Sequence, residues 1–128
     1  MTFEFVRADV LLNVHGRLIE KYGGLAGVRD ANAFRSAIAR PENLEAYAGL
    51  SSVGVPGAAL AWAILRSHPF SDGNKRTAFA GLTIFLEING YGLTCSEVEE
   101  TAMILRAASS EIGEEEFVEW MERSVGKL

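Results

Sequence analysis

The stretch HPFSDGNKRTA, residues 68–78, gathers most of the side chains in this chain that could do chemistry together. It begins with one of only two histidines, His68, and continues through Asp72 to the adjacent cations Lys75 and Arg76. A histidine can be neutral and accept a hydroxyl proton near pH 7, and a carboxylate beside a phosphate site suits a bridging magnesium ion. A base, a metal ligand and an anion cradle are the parts that phosphoryl or nucleotidyl transfer requires.

The anion cradle is predicted at the end of the stretch, where a helix begins at about Asn74. A helix N-terminus presents unpaired backbone N–H groups and a partial positive charge, and Gly73 lets a ligand approach the backbone closely. Asn74 can cap the helix or donate to a phosphate oxygen, while Lys75 and Arg76 add two full charges. Two cations at a helix N-terminus oppose the helix dipole unless an anion lies between them. The unfavourable placement of Lys75 and Arg76 relative to the helix dipole therefore favours a phosphate-binding site.

Structural explanations exist for each of these residues taken singly. A histidine interacts well with a helix C-terminus, Asp72-Gly73 is a common turn dipeptide, and the basic pair suits a solvated helix start. Phe70 is interpreted as a core anchor, and the other histidine, His15, as a structural residue of the first helix. A phosphate-binding P-loop does not fit, because Asn74 rather than lysine follows the glycine and a helix precedes it.

The hydrophobic pattern predicts helices throughout the chain and no sheet strand. The single domain, residues 1–128, is therefore predicted to be all-α, a compact bundle of about six helices. The helix after the HPFSDGNKR loop is apolar around most of its circumference, so it should lie buried at the centre. Residues 42–55 are predicted to form a surface loop or flap. Asp30 is the expected N-cap of the second helix and Pro41 its end, and a Ser96/Glu99 capping box is expected to open the fifth helix. The expected helices cover approximately residues 8–22, 30–41, 56–68, 74–89, 96–110 and 114–124.

Composition restricts the compartment and the partners. Hydrophobic residues make up 48% and charged residues 23% of the chain, as expected for a globular protein with a real core. The single cysteine, the lack of a signal-peptide pattern and an apolar run (78–86) too short for a bilayer predict a cytoplasmic protein without membrane contact. Nine acidic and three basic residues from Glu97 onward, within a net charge of −5, disfavour direct nucleic-acid binding.

The motif resembles the signature of the death-on-curing (Doc) toxins, a branch of the Fic fold, whose pattern is H-x-F-x-D-[AG]-N-K-R. A second block, YGGLAGVRDANAFRSAIARPEN at residues 22–43, is also similar to this branch. The resemblance therefore covers most of the chain. Every fixed position of the signature is met, by His68, Phe70, Asp72, Gly73, Asn74, Lys75 and Arg76.

The resemblance implies protein kinase chemistry with ATP and Mg²⁺ on a threonine of elongation factor Tu. His68 would take the hydroxyl proton, Asp72 would hold magnesium, and Gly73, Asn74, Lys75 and Arg76 would bind the phosphates. The flap would clamp the target segment as an added strand, by analogy of fold. A cognate antitoxin with a disordered tail that folds on the toxin is the implied partner.

Three alternatives stay open. A Fic-type AMP transferase is disfavoured, because its pattern needs glycine at Lys75 and a second arginine at Phe79. A non-catalytic helical binding module would have little need of both His68 and Asp72. A ribonuclease toxin using His68 and the basic pair is weakened by the acidic C-terminal third.

Overall fold

The structure, a computed structural model, describes residues 2–48 and 52–128, and of residues 46–48 it describes the backbone. Six helices and one small antiparallel sheet form this part of the chain, so the predicted all-α bundle is confirmed. The elements follow in the order α1 (Ala8–Tyr22), α2 (Ala31–Ala48), α3 (Gly54–Ser67), α4 (Asn74–Ile88), β1 (Tyr91–Leu93), α5 (Glu97–Ala108), α6 (Glu114–Arg123) and β2 (Val125–Lys127).

The centre of the molecule is the packing of α3 against α4. The helix α4, predicted to lie buried at the centre, is buried along one side, and α3 is the more completely buried of the two. Glycines allow this close approach: a Cβ on Gly57 of α3 would lie 3.1 Å from the Leu82 side chain, and one on Gly81 of α4 would lie 3.2 Å from the Leu11 side chain. Small residues at helix contacts thus bring α1 and α3 directly onto α4, the helix that begins inside the motif.

The predicted end of the second helix at Pro41 is wrong, because α2 continues through this proline to Ala48. A proline inside a helix lacks an N–H donor and crowds the carbonyl four residues earlier. Here the cost is offset by tertiary packing, since Pro41 is buried and Arg40 forms an ion pair with Glu114 at the start of α6. Local sequence pattern carries no information about that support.

The predicted flap over residues 42–55 is consequently wrong at both of its ends. Residues 42–48 belong to α2, and α3 begins at Gly54, two residues before the predicted start at Pro56. Residues 49–51 of the prediction lie outside the described residues. Of the described part of the predicted flap, only residues 52 and 53 lie outside a helix.

The prediction of no strand is also wrong, because two strands of three residues each form a small sheet. The strand β1 pairs antiparallel with β2, with Gly92 opposite Gly126 at the centre of the pair. Three residues are too few to establish an alternating pattern, and the partner lies more than thirty positions away in the chain. The small sheet fixes the C-terminal segment beside the end of α4.

Several local predictions are confirmed by the structure. Asp30 Oδ1 accepts a hydrogen bond from Ala33 N at 3.0 Å at the start of α2. Ser96 Oγ accepts one from Glu99 N at 3.2 Å, so the N-cap half of the capping box is formed. The Glu99 carboxylate instead accepts a hydrogen bond from the indole of the buried Trp120 at 2.8 Å. That carboxylate thereby links α5 to α6.

Candidate active site

The motif begins at the C-terminus of α3, where His68 reverses the chain direction. His68 adopts the left-handed helical region, with φ 48° and ψ 60°, and its N–H donates to Ile64 O at 3.1 Å. A non-glycine residue rarely occupies this region. The conformation lets the chain leave α3, pass through Pro69 and Phe70, and enter α4 at Asn74.

A segment before α2 lies along the motif as a strap, defined here as residues 27–30. Arg29 N and Asp30 N both donate to Pro69 O, at 2.8 and 3.1 Å, and Ser71 N donates to Gly27 O at 3.2 Å. Val28 thereby bridges to Phe70 in an antiparallel sense. Sequence similarity in residues 22–43 thus has a structural reason, since this block holds the motif in place.

His15 supports the motif from the opposite side. Its ring is 3% exposed and stacks on Phe70, with centroids 3.9 Å apart and planes inclined by 10°. Its Nε2 lies 2.8 Å from Asp72 O, so a proton on this nitrogen donates to the backbone of the predicted metal ligand. The structural interpretations of His15 and of the fully buried Phe70 agree with this geometry.

Asn74 closes the loop on itself. Its Oδ1 accepts from Phe70 N and its Nδ2 donates to Phe70 O, both at 3.0 Å. The side chain is therefore held against the loop backbone, and the backbone N–H of Asn74 is a further donor available to a phosphate.

The N-terminus of α4 keeps free backbone donors. The first helical hydrogen bond runs from Thr77 N to Gly73 O at 2.9 Å, so the N–H groups of residues 74–76 have no acceptor within the helix. No side chain caps this end among the described residues. Gly73 has φ 76°, and a Cβ there would lie 3.2 Å from the Ile19 side chain, so glycine suits both the turn and the space.

A cavity of about 580 Å³, named here the first cavity, opens beside this helix end. It brings together five of the six predicted site residues. These residues are His68, Asp72, Gly73, Asn74 and Lys75.

The sixth predicted residue, Arg76, lies elsewhere. It lines a second cavity of about 630 Å³ and places its guanidinium 4.2 Å from the centre of the Tyr22 ring. Lys75 lines both cavities. Phe79, which replaces the second arginine of the AMP-transferase pattern, lines only the second cavity.

The opposite wall of the first cavity contains residues that sequence reasoning missed. Arg106, near the end of α5, lines the cavity together with Ser109 and Glu111. The Arg106 guanidinium lies 3.6 Å from Glu111 Oε2 and 3.7 Å from Glu116 Oε2, distances too long for strong hydrogen bonds. No motif surrounds Arg106, and only the folding of α5 against α3 brings it near His68.

Arg66 fixes this wall to the helix that carries His68. Its guanidinium donates to Ala107 O and Ser110 Oγ at the end of α5, and it stacks over the Trp62 ring with a separation of 4.8 Å. The two walls of the first cavity are thus connected by side-chain contacts at the end of α3.

One oxygen of the Asp72 carboxylate is available to bind a cation. Asp72 Oδ2 accepts from Leu25 N at 2.7 Å, whereas Oδ1 has no hydrogen-bond partner within residues 2–48 and 52–128. No group of three or more His, Cys, Asp or Glu side chains in these same ranges could hold a metal ion. Magnesium is commonly held by one or two carboxylates together with substrate phosphates, and Asp72 at the mouth of an anion cradle fits that mode.

Two side chains with a raised pKa, Cys95 and Glu100, lie outside the linings of the two cavities. Burial raises the pKa of the Cys95 thiol, and the nearby carboxylates of Glu100 and Glu99 raise it further. Burial also raises the pKa of Glu100, with a smaller contribution from Glu97. A raised pKa lowers the thiolate fraction and therefore the reactivity of this thiol.

No helix in the described part of the chain has the length and hydropathy needed to cross a bilayer.

Fold and site together define a small helical protein whose histidine, aspartate and lysine face one cavity at a helix N-terminus. Residues 5–86 match the Fic/DOC family. The chain is 30% identical over 121 residues to "Protein kinase doc" of Escherichia phage P1, covering 94% of this chain and 95% of that protein. It is 41% identical over 76 residues to "Toxin Doc" of Mycolicibacterium smegmatis, covering 56% of each. The chain belongs to the Fic/DOC family.

Proposed function

We propose that this chain is the toxin of a type II toxin–antitoxin system and a Doc-type protein kinase. It transfers the γ-phosphate of ATP to a threonine of elongation factor Tu and thereby arrests translation in the cytoplasm. The observation that carries the proposal is the grouping of His68, Asp72 and Lys75 on one cavity at the open N-terminus of α4. The similarity to a protein named as a kinase along nearly its whole length supports the same activity.

The proposed reaction begins at the target hydroxyl. The His68 imidazole accepts the threonine proton while the hydroxyl oxygen bonds to the γ-phosphorus of ATP. The bond from the γ-phosphorus to the bridging oxygen breaks, and ADP leaves with that oxygen. The products are phosphothreonine, ADP and the proton held by His68. General-base catalysis of this kind typically contributes about 10²–10⁴-fold to the rate.

The cradle holds the nucleotide by several weak contributions that act together. The free N–H groups of residues 74–76 and the helix dipole favour an anion at this end. Lys75 and Arg106 bring two positive charges to the first cavity, and Arg76 adds a third at the neighbouring cavity. Asp72 would hold Mg²⁺, which neutralises phosphate charge and orients the phosphates when bound.

The nature of the transferred group separates this proposal from its nearest rival. A Fic-type enzyme transfers AMP, and in this chain Lys75 and Phe79 occupy the positions where that pattern has glycine and arginine. A lysine side chain at the cradle fills space that a phosphate would otherwise occupy. The γ-phosphate is therefore the group proposed to face His68.

The test uses purified protein, Mg²⁺ and elongation factor Tu, with radioactive phosphorus at either the α- or the γ-position of ATP. We expect label on the target only from the γ-position, with one phosphate on a threonine by mass spectrometry. Label from the α-position would establish AMP transfer instead. Cleaved RNA without modified protein would favour a ribonuclease, and no reaction at all would favour a non-catalytic module or another target.

The partner is proposed to be a cognate antitoxin whose disordered tail folds on the toxin. The relative named as a toxin supports this assignment. We expect induced expression of the chain alone to stop growth in a bacterial host, and expression of His68→Ala to leave growth unchanged. Growth arrest by both proteins would contradict a toxicity that depends on transfer chemistry.

A further inference from the structure

The side chain of Arg29 is tied to the end of the helix that carries His68. Its Nε donates to His68 O at 2.9 Å, and its Nη2 donates to His68 O at 2.6 Å and to Ser67 O at 2.9 Å. Ser67 is the last residue of α3 and His68 is its C-cap, so neither carbonyl has a donor within the helix. The guanidinium also compensates the partial negative charge at this helix C-terminus.

The residue that receives these hydrogen bonds has an unfavourable backbone conformation. His68 has φ 48°, in the left-handed region that is sterically unfavourable for a non-glycine residue. Such a conformation persists only where the surroundings hold it. Two of the three Arg29 hydrogen bonds end on the carbonyl of His68 itself, so they act directly on the peptide that follows its φ and ψ angles.

Other contacts hold the loop as a whole but do not act on His68. The strap donates through backbone N–H groups to Pro69 O, and Ser71 N donates to Gly27 O. These bonds do not involve the Arg29 side chain. Replacing that side chain should therefore leave the loop in place and release only the orientation of His68.

We propose that Arg29 is a positioning residue that holds the His68 backbone so that the imidazole points into the first cavity. Arg29 is exposed and is not among the residues lining either cavity, so it acts through His68 rather than on a substrate. The kinetic part of this inference rests on the proposed kinase function. The backbone part does not, because the φ angle of His68 can be measured in a protein of any activity.

The kinetic test compares Arg29→Met and Arg29→Lys with the native chain. For Arg29→Met we expect kcat to fall about 10–100-fold, the usual effect of displacing a catalytic group by about 1 Å, with the KM for ATP changed less than ~3-fold. Lysine has one ammonium group and cannot span both carbonyls as a planar fork, so Arg29→Lys should give an intermediate kcat. Added guanidinium ion should restore part of the activity of Arg29→Ala.

Arg35→Met provides the matched control. Arg35 is also an exposed arginine, on α2, and its side chain donates to Asn32, one turn earlier in the same helix. Its replacement removes the same charge and leaves His68 untouched. We expect native kcat and KM from this variant, and a kcat loss equal to that of Arg29→Met would overturn the proposal in favour of a general charge effect.

The structural test measures the one-bond Cα–Hα coupling of His68 by NMR, which reports the sign of φ. We expect a positive φ in the native chain and in Arg35→Met, and a changed coupling with an altered ring signal in Arg29→Met. An unchanged coupling and ring signal in folded Arg29→Met would overturn the proposal. If no protein transfers phosphate, a changed coupling would still support the role of Arg29 while removing the proposed kinase function.

Discussion

Two cavities meet at the N-terminus of α4 and share Gly73, Asn74, Lys75 and Leu105 in their linings, yet their chemistry differs. The first cavity contains His68, Asp72 and Arg106, so it offers a base, a carboxylate and a cation. The second has mainly apolar walls, and its one additional cation, Arg76, stacks on Tyr22. Phe79, Ala80, Leu18 and Ile104 complete much of that apolar surface.

The difference between the cavities comes from helix geometry. Consecutive residues of an α-helix point about 100° apart, so Lys75 and Arg76 cannot serve one ligand equally. Lys75 reaches both cavities, whereas Arg76 reaches only the second. A place in the motif therefore does not by itself give a residue a catalytic role. The following substitutions test which cavity would perform the proposed transfer.

The largest effect is expected from removing the base of the first cavity. His68→Ala should lower kcat for transfer by about 10²–10⁴-fold, because the target hydroxyl loses its proton acceptor. The His68 side chain is exposed, so the melting temperature and helical content measured by circular dichroism should stay close to native values. Retained transfer would place the chemistry outside the first cavity.

A smaller effect is expected from Asp72→Asn. The asparagine oxygen can still accept from Leu25 N but lacks the charge that favours Mg²⁺. We expect the Mg²⁺ concentration for half-maximal activity to rise about tenfold, with KM for the protein target little changed. Asp9→Asn, an exposed aspartate paired with Arg7 at the start of α1, is the control. An unchanged Mg²⁺ titration in Asp72→Asn would remove this residue from the metal site.

Lys75→Met should weaken nucleotide binding by about tenfold or more. A hydrogen bond to a charged group contributes about 1.5–3 kcal/mol, and methionine keeps the length of the side chain without the charge. Isothermal titration with a non-hydrolysable ATP analogue measures the change. The affinity for the analogue should fall in parallel with kcat/KM, and equal affinity would show that Lys75 does not contact the phosphates.

The smallest effect is expected from Arg76→Met, measured in the same titration. The Arg76 guanidinium lies over Tyr22 at the second cavity, and an exposed contact of this type contributes about 0.5–1 kcal/mol. We expect analogue affinity to fall less than ~3-fold and the melting temperature to drop slightly. A loss as large as that of Lys75→Met would mean that the nucleotide phosphates extend into the second cavity.

Sequence pattern predicted those parts of the fold that depend on local interactions. The limits of α1 and α4, the cap at Asp30 and the cap at Ser96 follow from residues within four positions of one another. The path of α2 through Pro41 could not be predicted in this way. A local rule ends the helix there, and the opposing contribution comes from burial and from an ion pair with α6.

The candidate site also has features that local sequence predicts and features that depend on tertiary contacts. The sequence by itself determined which residues form a contiguous motif from His68 to Arg76 and which chemistry their types suit, because they lie in one short turn and one helix start. Only the tertiary structure decided that Arg76 lines a different cavity from His68, that Arg106 completes the opposite wall, that the Arg29 side chain contacts the His68 carbonyl, and that His15 packs against the loop. These placements depend on contacts between residues roughly 30 to 60 positions apart, and such contacts form through packing that no local spacing encodes.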